Sequence, residues 1–150
     1  VWTVLAQDRT ATNSNGWRQA DIDAGEGMAY PGAEDLFLPQ VLNYDVTAGV
    51  NFKKGCYTGQ EVVARMHFKG KLKQRMQRID YTAEVDLAPG ETLRNSDGKA
   101  ACEVVSSARN HAGRSALVVL RRDTDGVLFK GEQPLNSQLG TLPYTLPWKD

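Results

Sequence analysis

The second half of this chain is cut by turn signals at short, regular intervals, and that punctuation limits what the chain can fold into. A β-rich run over residues 72–81 is followed by Pro89-Gly90, and a run over 91–94 stops at Asn95-Ser96-Asp97-Gly98. Residues 100–107 end towards Asn110-His111-Ala112-Gly113, and 115–121 are closed by Asp123-Thr124-Asp125-Gly126. Residues 127–129 and 134–142 complete the series. Strands repeating at roughly 8–12 residues build an antiparallel barrel or sandwich. The spacing predicts a small antiparallel β-barrel over residues 71–150, with Gly70 as the pivot.

The first part reads differently. Asn13-Ser14-Asn15-Gly16 is a turn and a helix N-cap signal. Trp17, Ala20 and Ala24 fall near helical spacing, and Gly25 stands where a C-cap glycine would. Residues 25–51 form an irregular connection with one helical turn at 39–43. Thr58-x-x-Glu61 has the form of a capping box and predicts a short helix over 59–66. The class is therefore α+β, divided into residues 1–70 and 71–150. The chain opens at Val1 rather than Met, and residues 1–6 read like a strand already under way. That predicts a fragment whose N-terminal part lies outside it.

A hydrophobic share of 41% and a charged share of 24% are those of a soluble globular chain. No apolar run approaches the about 18 residues a membrane-spanning helix needs. Two cysteines, Cys56 and Cys102, make no disulfide framework and fit a reducing compartment. His67 and His111 stand too far apart, with too few cysteines, for a built-in zinc site, so no metal is expected. Zero net charge conceals an asymmetry: between Lys53 and Arg78 there are eight basic residues and one acid, Glu61. Such a stripe suits an anionic ligand, whether a glutamate tail, a phosphate or an RNA backbone. A solvated strand face explains it equally well.

Cys56 has three features that lower a thiol pKa. It lies just ahead of the predicted helix start, Lys53 and Lys54 precede it, and Gly55 and Gly59 allow close approach. It reads equally as a reactive thiol or as a small buried residue. Cys102, within an apolar strand pattern, reads as core. Trp17 can stack on a flat heteroaromatic ring or anchor a core. Tyr57 can orient a ligand or simply pack. Gln60 can hydrogen-bond an amide edge, Glu61 is assigned to the cap, and Arg65 either pairs with Glu61 at i,i+4 or holds an anionic tail. Tyr144 and Trp148 read as barrel packing, and His67 has no evident partner.

Lys54-Gly55-Cys56-Tyr57-Thr58-Gly59-Gln60-Glu61 resembles the K-G-C-Y-x-G-Q-E signature of YgfZ-type folate-binding proteins. The likeness extends to Trp17 with Asp21-Ile22-Asp23-Ala24-Gly25, to Phe37-Leu38-Pro39-Gln40, to Val63-Ala64-Arg65 with Phe68-Lys69-Gly70, and to Leu142-Pro143-Tyr144. That family is similar to the aminomethyltransferase of the glycine cleavage system. The resemblance implies the C-terminal part of a folate-binding α+β domain followed by a β-barrel. It also implies binding of tetrahydrofolate or a one-carbon derivative and a cytoplasmic location. Its implied partners are iron–sulfur enzymes such as tRNA-modifying methylthiotransferases. It places Cys56 at the family's functional cysteine and Trp17 at a folate-contacting position, and makes Tyr57, Gln60 and Arg65 candidate ligand contacts. Two rival readings are a true aminomethyltransferase, which does not need a cysteine at this motif, and an RNA or protein interaction module built on the Lys53–Arg78 stripe. The stripe lacks interleaved aromatics in sequence.

Overall fold

The computed structural model describes residues 14–110, 113–122, 124 and 126–148. The opening run 1–6, Asn13 of the first turn, and His111, Ala112, Asp123 and Asp125 of two later turns lie outside the described residues.

Helix α1 (Ser14–Ala24) comes first and ends as its sequence predicts. Gly25 adopts φ 67°. Its N–H donates to the Ile22 carbonyl, while the Glu26 N–H reaches back to Asp21, at 3.1 and 2.8 Å. This pairing satisfies two of the carbonyls a helix leaves open at its C-terminus. The buried face differs from the one expected. Trp17, Ala20 and Ala24 point outward, and Ile22 is the fully buried anchor. The remaining contact with the sheet is polar. Asn15 exchanges hydrogen bonds with both backbone groups of Arg109, and the Ser115 hydroxyl donates to the Gln19 side chain.

A loop follows, with the predicted helical turn at 39–43: the Val41 and Leu42 N–H groups donate to Leu38, and Tyr44 N–H to Pro39. Helix α2 (Gln60–Lys69) then leads through Gly70 into the sheet. The strands are β1 (Gln74–Tyr81), β2 (Thr92–Arg94), β3 (Ala100–Asn110), β4 (Gly113–Arg121), β5 (Phe129–Lys130), β6 (Gln133–Pro134) and β7 (Ser137–Leu139). All pair antiparallel in one seven-stranded sheet of order β6-β5-β2-β3-β4-β1-β7. The single run expected over 134–142 is broken in two. Asn136 turns left-handed at φ 47°, a conformation asparagine tolerates, and sends β7 to the far edge.

That break curls the sheet. β6 and β7 occupy opposite edges but are separated by Leu135 and Asn136 alone, and three Cα steps span at most about 11 Å. The edges must therefore approach each other, and the sheet takes the form of a half-barrel. Leu135 bridges them: its N–H donates to Leu128, and its carbonyl accepts from Thr82 and Ala83.

Alternation along the strands sorts side chains into two cores. The concave one joins Ile79, Tyr81, Leu93, Val104, Val118 and Leu135 with their neighbours. The convex one joins Met76, Val105, Ala108, Leu117 and Val119 to Ile22, Val41 and Leu42. β4 is buried on both faces, which explains its unbroken Ala116-Leu117-Val118-Val119-Leu120 run. A bulge at Val104–Ser106 adds one residue to β3, so that Ala108 rather than Ser107 meets the convex core.

Candidate functional site

The motif sits on a surface loop that α2 closes. The Asn51 side chain accepts a hydrogen bond from the Lys53 N–H at 2.8 Å, a local turn that lifts the chain off the body. Every residue from 53 to 59 is exposed. Gly59 then adopts φ 83° and serves as the N-cap, with no side chain capping the helix. The capping box expected at Thr58 and Glu61 is therefore not formed. A left-handed glycine turns the chain into the helix instead, and Tyr57 and Gln60 close on each other. The Gln60 N–H donates to the Tyr57 carbonyl at 3.1 Å, and the Tyr57 N–H to the Gln60 side-chain oxygen at 3.3 Å. Glu61 is released to pair with Arg65 one turn on, at 2.8 Å. The helix begins one residue later than expected and runs three further, to Lys69.

α2 is held to the body at few points. Val63 is its buried residue, and the Val63 carbonyl accepts a hydrogen bond from the buried Gln40 side chain. Phe52 and His67 stack with ring centroids 3.7 Å apart, and Phe68 meets both edge-on. This gives His67 a partner that no local sequence pattern reveals, since the two rings stand on different elements. Tyr57, Val62 and Phe68 remain exposed, an arrangement more usual at interaction surfaces than on a solvated helix.

The predicted site residues fall in two places. Cys56 and Tyr57 are on the exposed loop, half-buried Gln60 starts α2, and exposed Arg65 is bound to Glu61 on its surface. Trp17 stands apart on α1, 73% exposed. None of these five lines the three cavities described next. The largest, about 380 Å³, lies over Arg78, Asp80, Tyr81 and Arg114. A second, about 250 Å³, opens among Ile79, Leu120, Leu128 and Leu139. The third, about 210 Å³, lies between α2 and the sheet, walled by Gln40, Met66, His67, Leu72, Arg75 and Pro147.

Beside that third cavity is a buried polar cluster that sequence reasoning missed. Arg75 makes two parallel bonds to Asp45, at 3.0 and 2.9 Å, and donates to the Gln40 carbonyl and the Asn43 side chain. Asn43, wholly buried at φ 66°, also donates to the Met76 carbonyl and to the Tyr144 hydroxyl. Tyr144, expected to pack in the barrel, instead donates to the Gly25 carbonyl at 2.6 Å and fastens the C-terminal stretch to the end of α1. Arg75 read as one more member of a basic stripe. Asp45, thirty residues earlier, carried no sign of being its partner.

The two cysteines occupy opposite surroundings. Cys56 is exposed; Cys102 is buried in the concave core, where burial pushes its thiol up to about 12.

No family model matches the chain. Among curated proteins, the tRNA-modifying protein YgfZ of Serratia proteamaculans is 34% identical over 95% of this chain and 45% of its own length. That of Escherichia fergusonii is 31% identical over the same shares, and that of Aliivibrio fischeri 36% over 73% of this chain and 36% of its own length. The chain is of the YgfZ type. It spans about half the length of the curated relatives it matches. No helix among the described residues of this YgfZ-type chain is long and apolar enough to cross a membrane.

Proposed function

We propose that this YgfZ-type chain is a tetrahydrofolate-binding accessory protein of the cytoplasm. In this reading it supports tRNA modification through iron–sulfur enzymes such as methylthiotransferases, with Cys56 as its working thiol. The observation that carries the reading is the exposure of residues 53–59 around Cys56. A free cysteine is ordinarily among the most buried residue types. Here packing accounts for Cys102 and leaves Cys56 unexplained unless its sulfur meets something outside the chain. Trp17 presents an indole face suited to a pterin ring. Tyr57, Gln60 and Arg65 supply a hydroxyl, an amide and a guanidinium on the loop and helix that carry the thiol. The half-barrel following a helical segment fits the C-terminal part of an aminomethyltransferase-like architecture. A division near residue 70 fits the concave core, whose members all lie between residues 79 and 135.

Iodoacetamide on the native chain is expected to modify Cys56 alone, and both cysteines only after denaturation, as read by mass spectrometry. Cys56→Ser is expected to fold like the parent and to lose support of tRNA methylthiolation in cells lacking the endogenous protein. Full activity of that variant would overturn the thiol's role. Quenching of tryptophan fluorescence by a reduced folate, lost in Trp17→Leu, tests the ligand separately.

A further inference from the structure

We propose that the cavity between α2 and the sheet is a binding site for a small neutral amide carried on a single ring. The inference needs neither the folate nor the thiol.

Two unmet hydrogen-bonding atoms carry it. Gln40 is 1% exposed and Arg75 3%, and both line this cavity. The Gln40 side-chain nitrogen donates to the Val63 carbonyl, but its Oε1 has no partner among the described residues. The two terminal nitrogens of Arg75 are bonded to Asp45, Asn43 and the Gln40 carbonyl, while its Nε has no partner there. Buried polar atoms in native folds are nearly always bonded, and each exception calls for a cause. Here one acceptor and one donor stand on residues already joined by the 3.1 Å bond from Arg75 to the Gln40 carbonyl. An amide carries the complement to both: an N–H for Gln40 Oε1 and a carbonyl for the Arg75 Nε–H.

Charge and size narrow the ligand. Asp45, which takes two parallel bonds from Arg75, lines the same cavity, so the cation there is already matched. An anion would meet Asp45 and a cation Arg75; a neutral ligand meets neither repulsion. At about 210 Å³ the space falls below the roughly 300–1,000 Å³ of sites for drug-sized molecules and suits one ring. Met66, Leu72, Pro147 and the His67 ring supply the surfaces against which that ring lies, with His67 itself held in its stack on Phe52. Water would bond the two atoms but would gain nothing from those walls. Neither atom is open to solvent, so the ligand must displace part of the wall to reach them. Met66 is suited to yield. Its sulfur lies over Gly70 on the same wall, an unbranched thioether repacks readily, and Val63 is the buried residue of its helix.

The test is two-dimensional amide NMR of the whole chain, without folate, titrated with benzamide. Saturable shifts are expected at the Gln40 side-chain amide and at the backbone amides of Val63 and Gly70. Acetophenone has the same shape but no N–H, and leaves the buried acceptor unmet. It should bind roughly five- to hundred-fold more weakly, and benzoate, the anion, no better than acetophenone. Leu72→Trp, which fills the cavity from its wall, should abolish the benzamide shifts while leaving the rest of the spectrum in place, whereas Met66→Leu should keep them. The comparison of benzamide with acetophenone uses the parent chain and so stands even if Leu72→Trp fails to fold. Three results would overturn the inference: no saturable shift with benzamide, equal affinity for acetophenone or benzoate, or undiminished binding to folded Leu72→Trp. None of them touches the folate reading.

Discussion

Cys102 shows how one side chain couples the fold to pH. Its thiol titrates at about 12 in the fold, raised by burial and then by nearby Glu103. An unfolded cysteine titrates near 8.5. Below that value the site's contribution to stability is complete. Above it the unfolded chain sheds a proton that the folded one keeps, so stability falls as pH climbs towards 12. The limiting slope is about 1.4 kcal/mol per pH unit. Tyr30, raised to about 12 by burial and by its hydrogen bond to Asp21, acts in the same direction from pH 10 upward. Urea unfolding between pH 7 and about 10.5 should therefore show a steeper alkaline loss for the parent than for Cys102→Ala. Parallel curves would show that the thiol stays protonated in both states. Asp45 is a second residue whose role lies in burial. Its removal leaves the Arg75 guanidinium, with 4% of its side chain exposed, without a carboxylate. Asp45→Ala is expected to cost about 3–5 kcal/mol in the same assay. Replacing the pair by Asp45→Leu with Arg75→Met should recover part of this. It cannot recover all, because the Gln40 carbonyl and Asn43 side chain would lose their donor.

Among the elements, the turn before β2 shows why particular glycines are required. Gly90 adopts φ 79°, and a Cβ there would collide with the Gly32 carbonyl of the loop after α1. Gly98, in the β2–β3 turn, adopts φ 75° with open space around it. Alanine at Gly98 meets only the left-handed penalty, about 1–2 kcal/mol. Alanine at Gly90 meets that penalty and a backbone clash, so its destabilisation should exceed the other by at least about 1 kcal/mol. Equal losses would mean that the loop yields freely. The same contrast between local and distant causes applies to the helices. The end of α1 is written in Gly25, whose motif uses only neighbouring backbone groups. The start of α2 departs from the capping box that the spacing of Thr58 and Glu61 predicts, because Gly59 and the Tyr57–Gln60 closure satisfy the helix end by another route.

For the molecule as a whole, closure of the sheet rests on one short crossing. Leu135 is fully buried, and its two backbone groups bond to chain on both sides of the gap. Leu135→Ala should cost about 2–5 kcal/mol and expose the amides of β7 to hydrogen exchange ahead of those in β3 and β4. A loss below about 1 kcal/mol would mean that the two edges hold each other without it.

Sequence alone determined what depends on neighbours in the chain. The turns that cut residues 71–150 into strands and the C-cap of α1 are set by a few adjacent residues. The motif around Cys56 was legible for the same reason, being contiguous. Tertiary structure decided what depends on residues brought together from afar. It spent Arg75 on Asp45, gave His67 to Phe52, moved Tyr144 from the expected barrel interior to the end of α1, and turned Trp17 outward by burying Ile22 on the face of α1 that meets the sheet. The physical reason is that turns and caps are short-range hydrogen-bond and backbone preferences. Burial and charge pairing are fixed only once the sheet has chosen its register and curled.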